Sequence, residues 1–298
     1  MILGIVGLIL PVLPGWPLLF LGLTLAVPSA AFSLKYQWTH VFLKRDIIYF
    51  PEWKKQGVVL GITTKFFPLH IKKADELGLE AQQAQFQKAL ETSKVTISRK
   101  ISFPGRFIYL HQVHGAHVAV LEQGSPERYQ GFRRLAETDG AVTNIPGLTL
   151  LAMSADCLSI FFSAPGWVGI AHAGWRGSEQ KISQNVVKLL MEKSGCKPED
   201  IHVIFSPAIC GRHYRVGPEF KSHFSGPSLQ SRRGKFYFDL VRENREQIRS
   251  MGVPAENFSD TSLCTVAHHK YFYSFRTEKE HADRMISFIQ LESLPGRS

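Results

Sequence analysis

Polar and apolar positions divide this chain into two unlike parts. From Met1 to Leu34 no charged side chain occurs, and Leu, Ile, Val and Gly dominate. Such a run is long enough to cross the hydrocarbon core of a bilayer. Pro11, Pro14, Gly15, Pro17 and Pro28 interrupt it, and prolines break or kink a helix. One kinked span and a hairpin of two short helices turning at Pro14–Pro17 both fit this pattern. Beyond Tyr49 short apolar runs alternate with polar stretches. Val58–Phe66, Phe107–Leu110, His117–Leu121, Leu148–Met153, Ser159–Phe162, Val168–Ala171, Ile201–Phe205 and Met285–Leu291 predict strands. Asp75–Glu91 predicts a polar helix that meets the core through Leu77, Phe86 and Leu90. In Glu179–Lys193, Ile182, Val186, Leu189 and Leu190 share one helical face. Asp239 is placed to cap a helix running to Met251, with Leu240, Val241, Ile248 and Met251 facing inward. Strands and helices mixed without regular βαβ alternation predict the α+β class.

Charge sharpens the division. Lys35, Lys44, Arg45, Lys54 and Lys55 follow the apolar run, opposed only by Asp46 and Glu52. The positive-inside rule then places the rest of the chain in the cytoplasm, tethered to the inner membrane through contact of residues 1–34 with lipid. Ser29–Ala31 has the small side chains of a signal cleavage site, but no basic stretch precedes the apolar run. The net charge of +10 is spread out, with its densest patches at Arg99-Lys100 and Arg232-Arg233-Gly234-Lys235. No basic run is interleaved with aromatics as a nucleic-acid surface would be, so no nucleic-acid partner is expected. The charge suits anionic substrates and lipid headgroups, and equally a merely solvated surface. Four widely spaced cysteines do not form a disulfide framework. Reduced thiols belong to a reducing compartment.

The candidate chemistry centres on HAGWRG, residues 172–177, fifteen residues after the Cys of Ala155-Asp156-Cys157. His172 ends the apolar run Trp167–Ala171. Gly174 and Gly177 permit a sharp turn and close approach to a ligand, and Arg176 between them can fork onto a phosphate or carboxylate. A helix start just after this motif offers free N–H groups to an anion. His114, in HQVHG at 111–115, adds a second imidazole. One thiolate and two imidazoles form a zinc set with one position open, as in catalytic sites. The same residues also have plainer roles. A cysteine is usually a small buried hydrophobe, and a strand-end histidine is often simply hydrogen-bonded. The three are also far apart in sequence, unlike the tight spacing of structural zinc sites.

HQVHG (111–115), TDGAVT (138–143), ADC (155–157), HAGWRG (172–177), SPAICGRHYRVG (206–217), DTSLCT (260–265), YSFR (273–276) and RMISFI (284–289) occur in this order. Together they resemble the laccase-domain family of purine nucleoside phosphorylases, also labelled multicopper polyphenol oxidase and peptidoglycan-editing factor. The resemblance runs from about Tyr49 to Glu292. It implies a domain at 49–298 with mixed β-sheets packed together and helices outside. It implies Zn2+ held by His114, Cys157 and His172, with His111 structural or supporting. It also implies phosphorolysis of adenosine, inosine and methylthioadenosine, together with adenosine deamination. Inorganic phosphate and purine nucleosides would then be the small-molecule partners. Arg176 and Arg276 are the candidate phosphate cations, Asp139 the candidate acid for the leaving purine, and Cys264 a candidate pocket residue. A structural salt bridge competes for either arginine, a turn-forming role for Asp139 and simple burial for Cys264. Asp156, beside Cys157, could orient a ligating imidazole from behind the metal. Departures from the family pattern at Ser206, Cys210, Arg215, Phe275 and Thr277 bear on substrate preference. Residues 1–48 comprise this apolar segment and its basic juxtamembrane stretch, and the apolar segment more weakly resembles a small bacterial transmembrane family named for a Pro-Gly-Pro-Gly-Trp motif.

Other chemistries compete. Cys157 and His172 could form the nucleophile–base pair of a thiol hydrolase or amidase acting on a peptidoglycan precursor; such a pair does not need His114. A copper-dependent phenol oxidase needs paired histidine clusters, and only His268-His269 is adjacent here. A non-catalytic, membrane-tethered binding module would need no open metal position.

Overall fold

The computed structural model describes residues 42–43, 46–54, 56–67, 106–122 and 129–292, with isolated positions at 81, 84, 85 and 88. The apolar segment, most of the basic stretch after it, the expected helix at 75–91 apart from those isolated positions, and the Arg99-Lys100 patch lie outside the described residues. Among the described residues no helix is long and apolar enough to cross a membrane.

Two large sheets carry the fold. The first has seven strands. In spatial order they are β1 (Phe42–Leu43), β2 (Ile47–Tyr49), β3 (Val58–Thr63), β16 (Met285–Leu291), β8 (Leu148–Ser154), β4 (Arg106–Leu110) and β6 (Phe132–Leu135). The second has six: β15 (Phe258–Asp260), β11 (His202–Phe205), β9 (Leu158–Ala164), β10 (Trp167–Ala173), β7 (Gly140–Thr143) and β5 (Val118–Leu121). Parallel and antiparallel pairs occur in both, and the α+β expectation of mixed sheets with helices outside holds for these residues. The first sheet reaches back to Phe42, ahead of Tyr49, because β1 pairs with β2.

Alternation explains why β9 and β10 are buried along their whole lengths. Phe161, Val168 and Ile170 face a core shared with Leu60, Ile108, Leu150 and Ile289 of the first sheet. Ile160, Phe162 and Ala171 face the other way, onto Ile182, Val186 and Leu190 of a helix and Leu240 and Ile248 of another. A sheet covered on both faces reads as continuous apolar runs, as these strands do. Gly61 in β3 has a packing reason: a Cβ there would meet the Phe288 ring at 2.6 Å and the Ile48 carbonyl at 2.8 Å.

The two later helices sit where the pattern placed them, with two differences. A short helix, Trp175–Glu179, begins inside the HAGWRG motif, and the main helix, Ile182–Ser194, starts only after Lys181 turns the chain at φ 65°. The later helix, Leu240–Ser250, is capped by Asp239, whose side chain accepts from the Arg242 N–H. Its buried face carries Asn244 and Gln247 as well as Leu240 and Ile248. These two amides are polar but not wasted. Asn244 donates to Ser178 Oγ and Gln247 to the Ser178 carbonyl, each at 2.8 Å, and so bind the short helix to the long one. A three-stranded sheet that hydropathy does not predict comprises β12 (Arg215–Val216), β14 (Lys235–Phe238) and β13 (Leu229–Arg232). The Arg232–Lys235 patch is its hairpin tip, with Arg233 and Gly234 both at positive φ. Two such residues make the tight turn that suits hairpin twist.

Candidate functional site

Three loops meet at one end of the stacked sheets. Cys157 stands in the turn from β8 to β9, directly before Leu158. The antiparallel pairing of β9 with β10 sets Ala173 opposite Leu158 and His172 opposite Ser159. The hairpin register therefore carries His172 back to Cys157 across fifteen residues of chain. His172 continues the face that bears Val168 and Ile170, and it is 3% exposed. His114 comes from the loop between β4 and β5, at φ 62°, a left-handed conformation uncommon for residues other than glycine.

Asp139 holds that loop. Its carboxylate accepts the backbone N–H groups of Val113 at 3.0 Å, His114 at 3.0 Å and Gly115 at 2.8 Å. Three successive N–H groups converging on one anion form a nest. The same carboxylate meets His172 Nδ1 at 2.9 Å. Asp139 is fully buried. Burial alone would raise its pKa, but the hydrogen bonds from His172, Gly115 and Val113 outweigh it and hold the carboxyl below the usual value. Gln112 secures the loop at another point: its side-chain amide donates to the Met153 carbonyl at 2.7 Å and accepts the Met153 N–H at 2.8 Å. That pair ties HQVHG to the last residues of β8, beside the Cys157 turn.

The ligand atoms of His114, Cys157 and His172 lie within 4.8 Å of one another. Cys157 Sγ is 4.0 Å from His114 Nε2. The two imidazoles meet edge to face, with ring centroids 4.9 Å apart. Gly174 belongs to this arrangement at extended rather than positive φ. A Cβ on it would stand 3.0 Å from His114 Cδ2 and 3.2 Å from Cys157 Sγ. The charges are coupled. Burial opposes ionisation of Cys157, yet hydrogen bonding to His114 and His172 brings its thiol down to about 6. Burial likewise opposes protonation of His172, but Asp139 and Cys157 push its pKa up to about 9. One soft anion, one buried imidazole whose Nδ1 is fixed by a carboxylate and one accessible imidazole suit a tetrahedral metal with an open position.

The other expected residues fall into place less uniformly. Arg176 is exposed; its guanidinium lies over the Trp175 ring at 4.4 Å and makes no hydrogen bond among the described residues. Arg276 is engaged: both terminal nitrogens donate to the Arg215 carbonyl at 3.1 Å, and the guanidinium covers the Tyr214 ring at 5.4 Å. Tyr214 links these groups. Burial chiefly, then the charge of Cys157, push its pKa up, while Arg276 and Arg176 oppose the rise. Tyr214 lies within SPAICGRHYRVG, where no spacing or hydropathy signal marks its role.

Asp156 does not orient an imidazole. Its carboxylate accepts from Thr265 Oγ1 and from the Arg276 N–H, each at 2.6 Å, and Asp139 does the orienting instead. Cys264 is not beside Cys157 in the metal cluster; it belongs to a separate group with Cys210 and His213. His268 and His269 are 3.0 Å and 3.3 Å from backbone carbonyls through Nδ1 and do not face a common centre with other histidines.

Comparison with known proteins places the chain in a family. The purine nucleoside phosphorylase YlmD of Bacillus subtilis is 31% identical over 199 residues, covering 62% of this chain and 71% of that protein. A protein named adenosine deaminase RL5, from an unknown prokaryotic organism, is 31% identical over 181 residues, 55% of this chain and 67% of its own. The crystal structure of the Bacillus licheniformis hypothetical protein YfiH superposes with a TM-score of 0.68 at 25% identity, covering 84% of this chain and 97% of that one. The family model described as multi-copper polyphenol oxidoreductase laccase matches residues 60–292. The chain belongs to that family.

Proposed function

We propose that this protein is a zinc-dependent purine nucleoside phosphorylase, acting on adenosine, inosine and methylthioadenosine, that also deaminates adenosine. The observation that carries the reading is the convergence of His114, Cys157 and His172 on one point, with Asp139 behind His172. The named activities of the relatives supply the substrate class. Cys157 as thiolate and the two neutral imidazoles would hold Zn2+, which when bound supplies a Lewis acid and activates water near neutral pH.

The protein's own side chains do the rest. Asp139 fixes the Nδ1–H tautomer of His172 and leaves Nε2 for the metal. With four hydrogen bonds and a lowered pKa, Asp139 is anionic at neutral pH. We therefore assign it to positioning and not to protonating the purine. In phosphorolysis a phosphate oxygen attacks the ribose C1′, the bond from C1′ to the purine nitrogen breaks, and the purine leaves as the neutral base with the proton that the phosphate gives up. Arg176, whose guanidinium has spare donors, binds the attacking phosphate. Arg276 donates to the Arg215 carbonyl and fixes the Tyr214 ring at the edge of this site. Cys264 takes no part in the reaction. The uncharged run of residues 1–34 and the basic residues after it support attachment to a membrane, with the catalytic domain on the cytoplasmic face.

A thiol hydrolase acting on a peptidoglycan precursor is the second reading. The lowered thiol of Cys157 and the raised imidazole of His172 are what a thiolate–imidazolium pair requires. His114 separates the two. The test is His114→Ala, assayed for bound zinc and for release of adenine from adenosine with phosphate. Loss of adenine release together with about one zinc ion per chain supports the metal enzyme. A zinc content equal to the parent's, or phosphorolysis at the parent rate, overturns it.

A further inference from the structure

The reaction proposed above leaves Cys210, His213 and Cys264 unused. His213 Nδ1 lies 3.3 Å from Cys210 Sγ and 3.3 Å from Cys264 Sγ, and the three donor atoms fall within 4.8 Å of one another. Two segments supply them. Cys210 to His213 is a tight turn, closed by the N–H groups of His213 and Tyr214 on the Cys210 carbonyl at 2.9 Å and 3.0 Å. Cys264 is set against it by backbone pairing. Ala208 and Cys264 form an isolated parallel bridge, the Thr265 N–H donates to the Ala208 carbonyl, and the Ala208 N–H donates to the Leu263 carbonyl. The main chain therefore sets the approach of the two sulfurs.

A backbone donor points at the buried sulfur: the Cys210 N–H donates to Cys264 Sγ at 3.3 Å. Hydrogen bonds of this kind favour a charged sulfur over a thiol, whereas a cysteine serving only as core filler needs none. Exposure is graded across the cluster. Cys264 is buried, Cys210 half-buried and His213 exposed. Cys210 also lines a cavity of about 120 Å³ with Arg212, Arg232 and Asp239. Two sulfurs and an imidazole, closed on the core side and open on the other, match the Cys2His donor set of zinc.

We propose that Cys210, His213 and Cys264 bind a second zinc ion, separate from the set at His114, Cys157 and His172. Two soft sulfur donors select against magnesium and calcium, which take oxygen ligands. Binding displaces the thiol protons to solvent, so affinity rises with pH. The ion joins the 210–217 loop to the 260–268 segment, and that loop carries Tyr214 and Arg215, the two residues on which the Arg276 guanidinium rests. Its role is to hold the arginine-bearing rim of the first site in register.

The full chain, stripped of metal under reducing conditions and dialysed against zinc, should bind about two ions. Cys210→Ala, His213→Ala and Cys264→Ser should each bind about one, and so should the double variant His114→Ala/His172→Ala. Cys157→Ser loaded with cobalt should keep a thiolate-to-cobalt charge-transfer band, and adding Cys210→Ala should abolish it. Zinc loading of the parent should slow alkylation of Cys210, followed by mass spectrometry, at least about tenfold. If the first site holds no zinc, the parent count drops to about one while the remaining ion still depends on Cys210. Absence of the cobalt band in Cys157→Ser, or equal alkylation of Cys210 with and without zinc, overturns the second site. So does formation of a Cys210–Cys264 disulfide in the presence of excess zinc.

Discussion

Asp139 Oδ1 lies 2.9 Å from His172 Nδ1, and both side chains are buried. The same carboxylate gathers three N–H groups of the loop that presents His114. One residue thus sets both imidazoles of the cluster, one through its ring and the other through its backbone.

Asp139→Asn tests that double role. The amide keeps the size but loses the charge, and its NH2 group cannot accept the converging donors. Zinc affinity, measured by competition with a chromophoric chelator, should fall about 10- to 100-fold. Purine release should fall with it at limiting zinc. Unchanged affinity would mean that the nest and the Nδ1 contact are structural only.

The metal-free site has a definite pH signature. His172 has a pKa raised from 6.5 to about 9, so its stabilising contribution is complete below 6.5 and is lost as pH rises through 9. Cys157 has a pKa lowered from 9.0 to about 6, so its contribution is complete above 9.0 and is lost as pH falls through 6. Between 6.5 and 9 the two slopes oppose each other, and the metal-free parent should show a nearly level Tm there. Cys157→Ser removes the rising slope, and its Tm should decline across the same window. A Tm of the variant that stays level would show that Asp139 without Cys157 does not hold His172 protonated.

Arg176 and Arg276 should separate kinetically. Arg176→Ala should raise the KM for phosphate about tenfold or more, because a charge-assisted fork is lost, and should leave the KM for nucleoside close to the parent value. Arg276→Ala should act mainly through the Tyr214–Arg215 rim and change the nucleoside KM more. Equal effects of both variants on both substrates would mean that neither is a dedicated phosphate ligand.

Gly174→Ala adds one methyl group where His114 and Cys157 leave 3.0 Å and 3.2 Å. Overpacking of this kind costs about 1–3 kcal/mol, here expressed as displacement of His114. Zinc affinity should drop about tenfold, with far-ultraviolet circular dichroism unchanged. An affinity equal to that of the parent would show that the loop can yield without cost.

What the sequence determined by itself was local. Alternation and apolar runs located β3, β8, β9, β10 and β16, since their burial on both faces forces a continuous apolar pattern. Asp239 before a helical stretch was sufficient to mark a helix start, because the cap is made within one turn. Motif order brought His114, Cys157 and His172 under suspicion together, but spacing gave no geometry for them. Their meeting depends on the β9–β10 register and on the nest at Asp139, which joins residues 24 to 33 positions apart. The orienting role expected of Asp156 falls to Asp139 for the same reason. Both precede strands and both are acidic, so only the fold decides which carboxylate faces the imidazole. Asn244 and Gln247 lay hidden in a polar helix face because hydropathy registers the amide and not the buried Ser178 that accepts its hydrogen bond. The second thiol–imidazole cluster was out of reach altogether. Cys264 arrives from a segment 51 residues beyond His213, carried there by backbone pairing that leaves no periodic trace.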